Sequence, residues 1–375
     1  MSAFITELEK LLSQAIDRNA QAEPLPNGIV LYGAGSVGRE CLLFLLSKGV
    51  LVHAVLDAKS SLKQLEGVPV LRPDDATFSA EDKARIPVVI SIFNAFISMP
   101  DVEVLIKAAG WQYVTGFLKF HRQHSAPLGD KYWLTAPSFY QTQSPGWREG
   151  IGLWADEDSA CLYRDILKFR FTGEYADAPL PHPGGQYFPD TIPPWEKNLR
   201  FVDCGAFNGD TLEILGDSGY QVEALAAFEP DAANLAILSH KLPSIAPAAK
   251  PAALWPCGVY SSTTQLRFDS GNGAGSALSA SGDSVIQCVS LDEALTGFSP
   301  NLIKMDIEGA EYAALLGGRK LIERHRPGLA ICVYHHPAHL WQIPALVKSW
   351  NLDYHFYLRV HCYNGFDLVM YAIPN

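Results

Sequence analysis

The alternation of apolar and polar positions divides the chain into two runs of α/β pattern with a less regular stretch between them. From Ser2 to Ala20 apolar residues recur at helical spacing (Phe4, Ile5, Leu8, Leu11, Leu12, Ile16), which predicts a leading helix that packs inward or serves a homo-oligomer contact. Glu23-Pro24-Leu25-Pro26-Asn27 ends it. Gly28 to Tyr32 reads as a buried strand, Arg39 to Ser47 as a helix, and Leu51 to Leu56 as a second strand closed by Asp57. Gly67 to Val70 and Pro87 to Ser91 continue as strands, and Val102 to Ala109 as a helix. A Rossmann-like α/β domain is therefore expected over residues 1–120.

From about His121 to Asn198 the pattern turns irregular and rich in Trp, Tyr, Pro and Gly, with one good helix at Asp158 to Phe171. This is expected to be a connecting segment over 121–198. Its aromatics either shape an acceptor pocket, with Tyr187 and Phe188 the candidates, or simply bury against their neighbours.

The second α/β run occupies 199–375. Leu199 to Val202 and Val222 to Phe228 read as strands, and a third is expected to end at Pro256-Cys257-Gly258-Val259, where an adenine edge would stack. The fourth ends at Asp306 and the fifth spans Leu329 to Val333. Tyr354 to Val360 and Phe366 to Ile373 predict a closing antiparallel hairpin. Both runs are α/β in class.

Composition sets limits on partners. The chain has 375 residues, 48% of them hydrophobic, and a formal net charge of −11 with no basic stripe, which argues against nucleic-acid binding. Its longest apolar stretch, Cys41 to Val55, is broken by Ser47-Lys48-Gly49, so no membrane span is expected. The first ten residues lack the order of a signal peptide. The seven cysteines form no Cys-x-x-Cys pair. A cytoplasmic protein without disulfides or zinc is the simple expectation.

Two segments carry the chemistry. In Phe201-Val-Asp-Cys-Gly-Ala-Phe-Asn-Gly-Asp-Thr211 a strand runs into Gly205 and Gly209, which let the backbone approach a ligand. Asp203 before that turn would repel a pyrophosphate but suits a cationic or hydroxyl-bearing ligand. Glu229, at the tip of the next strand and about 20 residues after the turn, is placed to accept ribose hydroxyls. A turn that avoids phosphate, followed by a ribose-binding acid, points to S-adenosylmethionine. The expected cofactor contacts are Asp203, Gly205, Ala206, Asn208, Gly209, Asp210, Thr211, Glu229, Pro230, Gly258 and Val259.

The stretch from about 198 to the C-terminus resembles the FkbM-type S-adenosylmethionine-dependent methyltransferases. The matching blocks are Val202-Asp203-Cys204-Gly205-Ala206 with Gly209-Asp210, Ala227-Phe228-Glu229-Pro230-Asp231, Gly258, Ser276-Ala277-Leu278, Ser290-Leu291-Asp292 and Ile303 through Glu311. Leu315 to Gly318, Arg326-Pro327, the closing stretch from Tyr357 and the upstream Gln186-Tyr187-Phe188 also fit. The resemblance implies a class I methyltransferase sheet and O-methylation of a sugar, nucleotide-linked sugar or other natural-product hydroxyl.

The second segment, Leu302 to Glu311, places Asp306, Glu308 and Glu311 at the end of the fourth strand. Carboxylates so close raise one another's pKa, which improves a base and also invites a divalent ion between Asp306 and Glu308. Beyond the fifth strand stand His335, His336 and His339. Asp306 and His335 are the leading base candidates, with His336, Glu308 and Glu311 behind them. Arg359 and His361 either line the acceptor side or are exposed polar positions. The loop Gly271 to Ser276 is expected to close over the cofactor.

The first run has its own fingerprint, Gly33-Ala-Gly35-Ser-Val-Gly38, with Asp57 about 20 residues later. With Gly67-Val-Pro-Val70 and then Val88-Val-Ile90 it resembles the sugar-nucleotide-binding domain of bacterial sugar acetyltransferases. It would dock a nucleotide-linked sugar, serve as a scaffold without a ligand, or bind NAD. The rival functions are thus a non-enzymatic sugar-nucleotide-binding protein and an NAD-dependent oxidoreductase.

Overall fold

The computed structural model describes residues 2–21, 24–268 and 284–375. The chain divides into two compact units. One comprises Met1–Ser144, Arg164–Leu180 and Cys362–Phe366; the other comprises Pro145–Tyr163, Pro181–His361 and Asp367–Asn375. The expected connecting segment is therefore shared between the two units rather than standing apart, because its aromatics bury within each. Trp133 packs on Phe169 in the first, and Trp154 packs on Tyr163 in the second.

The first unit holds strands β1 (Gly28–Tyr32), β2 (Leu51–Leu56), β3 (Gln64–Leu65), β4 (Val68–Leu71), β5 (Val88–Ile90) and β6 (Val114–Thr115) in the order β3-β4-β2-β1-β5-β6. Apart from the antiparallel β3–β4 pair, the ladders are parallel. Val30, Leu56, Val88, Ile90, Met99, Ile106 and Trp111 form its core. The leading helix spans Ser2–Ala20 as the apolar spacing predicts. The next helix starts at Ser36 rather than Arg39. Its first turn accepts Gly38 because a Cβ there would lie 1.9 Å from the Gly33 carbonyl oxygen, so helix and strand meet at a distance only glycine allows.

The second unit is built on β7 (Asn198–Cys204), β8 (Gln221–Phe228), β9 (Ala252–Trp255), β13 (Leu302–Met305), β14 (Gly328–Cys332), β15 (Tyr354–Val360) and β16 (Leu368–Pro374). A small sheet of β10 (Gly258–Val259), β11 (Thr264–Phe268) and β12 (Ser284–Val289) stands beside it in sequence. The seven strands run in the order β15-β16-β14-β13-β7-β8-β9. The five parallel strands thus follow the doubly wound pattern 3-2-1-4-5. β16 enters antiparallel between β14 and β15. The order reverses between β7 and β13, where Asp203 pairs in register with Lys304 and Cys204 with Met305. A crevice for ligands opens at that switch point, beyond the carboxyl ends of the strands.

One expectation changes here. The third strand stops at Trp255, because Pro256 has no N–H to continue the ladder. Gly258 and Val259 instead pair with Cys288 and Val289 in the small sheet. The Gly271 to Ser276 loop, with Ala277 and Leu278, lies outside the described residues.

Candidate active site

The crevice of the second unit is shaped by two turns that press on each other. After β7 the backbone passes through Gly205 (φ 79°), Phe207 (φ 44°) and Gly209 (φ 90°) into the helix Asp210–Asp217. A Cβ on Gly205 would sit 1.9 Å from the Asp306 carbonyl oxygen, so only glycine lets the two turns touch. After β13, Glu308 (φ 53°) and Gly309 (φ 104°) make the second turn. A non-glycine residue held there is strained, and such strain gathers at functional positions.

Asp203 is fully buried, with Oδ1 3.1 Å from Lys304 Nζ. Lys304 Nζ also donates to the Gly205 carbonyl oxygen at 2.6 Å. Asp203 Oδ2 has no hydrogen-bond partner. Complete burial pushes the Asp203 carboxyl up to about 6, with Lys304 pulling the other way. Burial would discharge Lys304, but Asp203 and Asp306 hold its ammonium firmly charged. Glu229 accepts from Phe207 N at 2.9 Å and from Asp231 N at 2.8 Å, which fixes it under the glycine turn. Burial raises its pKa despite these bonds. Ala206, Asn208, Asp210 and Thr211 lie on the same turn and the first helical residues, and Pro230 follows Glu229. Gly258 and Val259 belong to the small sheet instead.

At the end of β13 the three acids meet His335. Its Nδ1 lies 2.7 Å from Glu311 Oε1, and its Nε2 lies 3.3 Å from Asp306 Oδ1 and 3.7 Å from Glu308 Oε2. Glu311 Oε1 also accepts from Ile307 N and Gly309 N, and Oε2 faces His339 Nδ1 at 3.3 Å. Burial opposes charge on His335, yet Glu311, Glu308 and Asp306 together raise its pKa to about 10. Burial alone would raise Glu311, but the imidazolium and the hydrogen bonds of both histidines hold it well below the usual carboxylate range. Glu308 is pushed up to about 7, chiefly by burial, with His335 opposing and Asp306 and Glu311 adding to it. His336 is exposed, with its ring 5.2 Å from that of His339.

Residues 203–363 match the family model of the methyltransferase FkbM domain. The chain contains an FkbM methyltransferase domain. A solved methyltransferase FkbM from Methylobacillus flagellatus KT has the same fold. It is 21% identical, with a TM-score of 0.75 over 98% of this chain and 100% of that one. No curated protein matches the chain.

A residue upstream of the matched FkbM stretch completes the cluster. Tyr187, held at φ 67° and buried, donates from Oη to Asp306 Oδ2 at 2.8 Å. Its N–H donates to Tyr371 Oη and its carbonyl accepts from Trp195 Nε1. Lys304 Nζ stands 5.4 Å over its ring. Phe188 lies against Tyr220 instead.

Asp306, Glu311 and His335 bring ligand-type atoms within 4.8 Å of one another, the one such set among the described residues; Glu308 is not in it. The two ring nitrogens of His335 face Glu311 and Asp306 in opposite directions.

Arg359 serves structure: its guanidinium donates to Asp156, Ser159, Thr191 and the Leu358 carbonyl. His361 bonds Tyr371 Oη at 2.8 Å, and burial pushes its pKa down to about 4.

In the first unit Asp57 repeats the Glu229 arrangement. Its Oδ2 accepts from Ala34 N of the glycine turn at 2.8 Å, and its Oδ1 accepts from Lys59 and Ser60 N–H groups. Sequence reasoning underrated Glu311 and His339. The available signal was a glutamate able to reach back to the N–H groups of its own turn, with histidines four residues apart on the next segment.

Among the described residues no helix is long and apolar enough to cross a membrane.

Proposed function

We propose that this chain is an S-adenosylmethionine-dependent O-methyltransferase acting on a hydroxyl of a small molecule, a sugar, nucleotide-linked sugar or other natural-product intermediate. The observation that carries the reading is the acid–histidine cluster at the end of β13, pressed against the glycine turn of an FkbM methyltransferase domain. Three features support the cofactor: Gly205 and Gly209 turn the backbone tightly after β7, Asp203 offers an unpaired buried oxygen, and Glu229 at the tip of β8 is the acid for the ribose hydroxyls. When bound, the cofactor supplies a methyl group on a sulfonium.

The protein's own part is to hold the acceptor in line, remove its proton and exclude water. Alignment contributes about 7–11 kcal/mol and a positioned base about 10²–10⁴-fold. Both Asp306 oxygens are engaged, one by Tyr187 and one by His335. His335 is held protonated between Glu311 and Asp306 and is not a free base. Glu308, with its carboxyl near 7 on a turn held at φ 53°, is the residue that takes the proton; His335 Nε2 faces its Oε2 at 3.7 Å. For the first unit, the glycine turn ahead of helix Ser36–Ser47 supports a nucleotide or nucleotide-linked sugar as ligand.

Thermal unfolding of wild type and Glu229→Ala with saturating S-adenosylhomocysteine tests the reading. A ligand at about 100 times its dissociation constant stabilises by about 2.7 kcal/mol. Stabilisation of the wild type, absent from the variant, is expected; no response of the wild type would sink the donor assignment.

A further inference from the structure

Charges around the crevice fall into matched and unmatched sets. Asp203 is matched by Lys304 at 3.1 Å. Glu311 is matched by His335 at 2.7 Å and by two backbone N–H groups. The positive charge of His335 then also faces Asp306 and Glu308, at 3.3 and 3.7 Å, and Lys304, already paired with Asp203, acts on Asp306 from farther off, so four carboxylates share two cations. Of these, Asp306 and Glu308 carry the surplus. They are also the open members of the cluster, their side chains 25% and 17% exposed against 1% for His335 and 0% for Glu311. The raised pKa of Glu308, due to burial and then to Asp306, Glu311 and Asp367 against His335, is what an unmatched charge would show.

We propose that Asp306 and Glu308 are specificity determinants that make the crevice prefer a sulfonium donor to its thioether product, while the Asp203–Lys304 pair is neutral in that choice. The inference rests on S-adenosylmethionine being the donor. Donor and product differ by one methyl group and one positive charge, so a group can discriminate electrostatically only by acting on that charge. The backbone of Asp306 touches the glycine turn, and its carboxylate acts on Lys304, whose ammonium donates to the Gly205 carbonyl, so the surplus stands next to that turn. A preference of this sign helps product leave after the charge has been lost.

The test is calorimetric binding of S-adenosylmethionine and of S-adenosylhomocysteine to the full chain, without acceptor. Wild type is compared with Asp306→Asn, Glu308→Gln and the exposed control Asp217→Asn. The quantity read is the ratio of the two dissociation constants, because a change that only loosens the fold weakens both ligands alike. The ratio is expected to move toward the product on the order of tenfold in each cluster variant and to stay unchanged in the control. An unchanged ratio in both cluster variants, with both ligands still bound, overturns the inference and leaves the donor reading standing. Failure of wild type to bind either ligand overturns the donor reading and this inference with it.

Discussion

The Tyr187 hydroxyl donates to Asp306 Oδ2 at 2.8 Å across a separation of 119 residues. One oxygen of the acid is thereby fixed and the other is left toward His335 Nε2. Replacing Tyr187 by Phe removes one buried hydrogen bond, and a loss of about 1 kcal/mol is expected in urea unfolding. Binding of S-adenosylhomocysteine should change little, since Tyr187 meets the proton side of the crevice.

The Glu311–His335 pair makes stability depend on pH in both directions. His335 has a folded pKa raised to about 10 from 6.5, so its contribution is complete below pH 6.5 and is lost as pH rises toward 10. Glu311 is depressed from 4.5, so its contribution is present above pH 4.5 and is lost as pH falls further. Denaturant midpoints should therefore be highest between about pH 4.5 and 6.5 for this pair. Glu311→Gln should remove the acid limb and shrink the alkaline one, whose remainder is due to Glu308 and Asp306; a variant with an unchanged alkaline fall would refute the pairing.

Gly205→Ala faces two penalties at once, a φ of 79° and a Cβ 1.9 Å from the Asp306 carbonyl oxygen. A destabilisation of at least about 2 kcal/mol is expected. Gly216→Ala, in the helix that follows and with nothing within 4 Å of its Cβ, should stabilise by up to about 1 kcal/mol. Thermal unfolding of the two variants side by side checks the contrast.

Asp57 and Glu229 hold corresponding turns in their own units. Asp57→Ala should cost about 1–3 kcal/mol by leaving Ala34 N without its partner, and should leave the response to S-adenosylhomocysteine intact. Glu229→Ala should abolish that response. If NAD or UDP-sugars raise the melting temperature of the wild type, the Asp57 variant should lose that rise.

The strands that place the crevice were legible because buried parallel strands read as short apolar runs bounded by glycine, proline or a polar tip. β7, β8, β13 and β14 are of that kind. The pairing of the last two strands was legible too, but not their order in space: β16 lies beside β14, and no local pattern records that. The end of β9 was misjudged because Gly258 and Val259 continue its apolar character after Pro256, in a different sheet. Asp306 and His335 stood out by position. Tyr187 and Glu311 were named only as a pocket aromatic and a lesser base candidate, and their bonds to Asp306 and His335 were not legible, since a burial that turns a tyrosine toward a carboxylate more than a hundred residues away is a tertiary fact. The role of Arg359 likewise appeared only with Asp156 and Ser159 beside it.

The second unit draws on Pro145–Tyr163 and on residues 181–202, upstream of the stretch recognised by family likeness, and on Asp367–Asn375 beyond it. A fragment cut at the edges of that likeness, 203–363, would lose most of β7 and all of β16, and would be deprived of Tyr187, Asp156, Ser159 and Thr191. A nearly inaccessible guanidinium at Arg359 would lose its carboxylate, and Asp306 would open on one side to water. The smallest piece that can fold and still carry an intact reaction centre is thus longer than the inherited module, and its outer sequence is as much a part of the enzyme as the motifs that identify it.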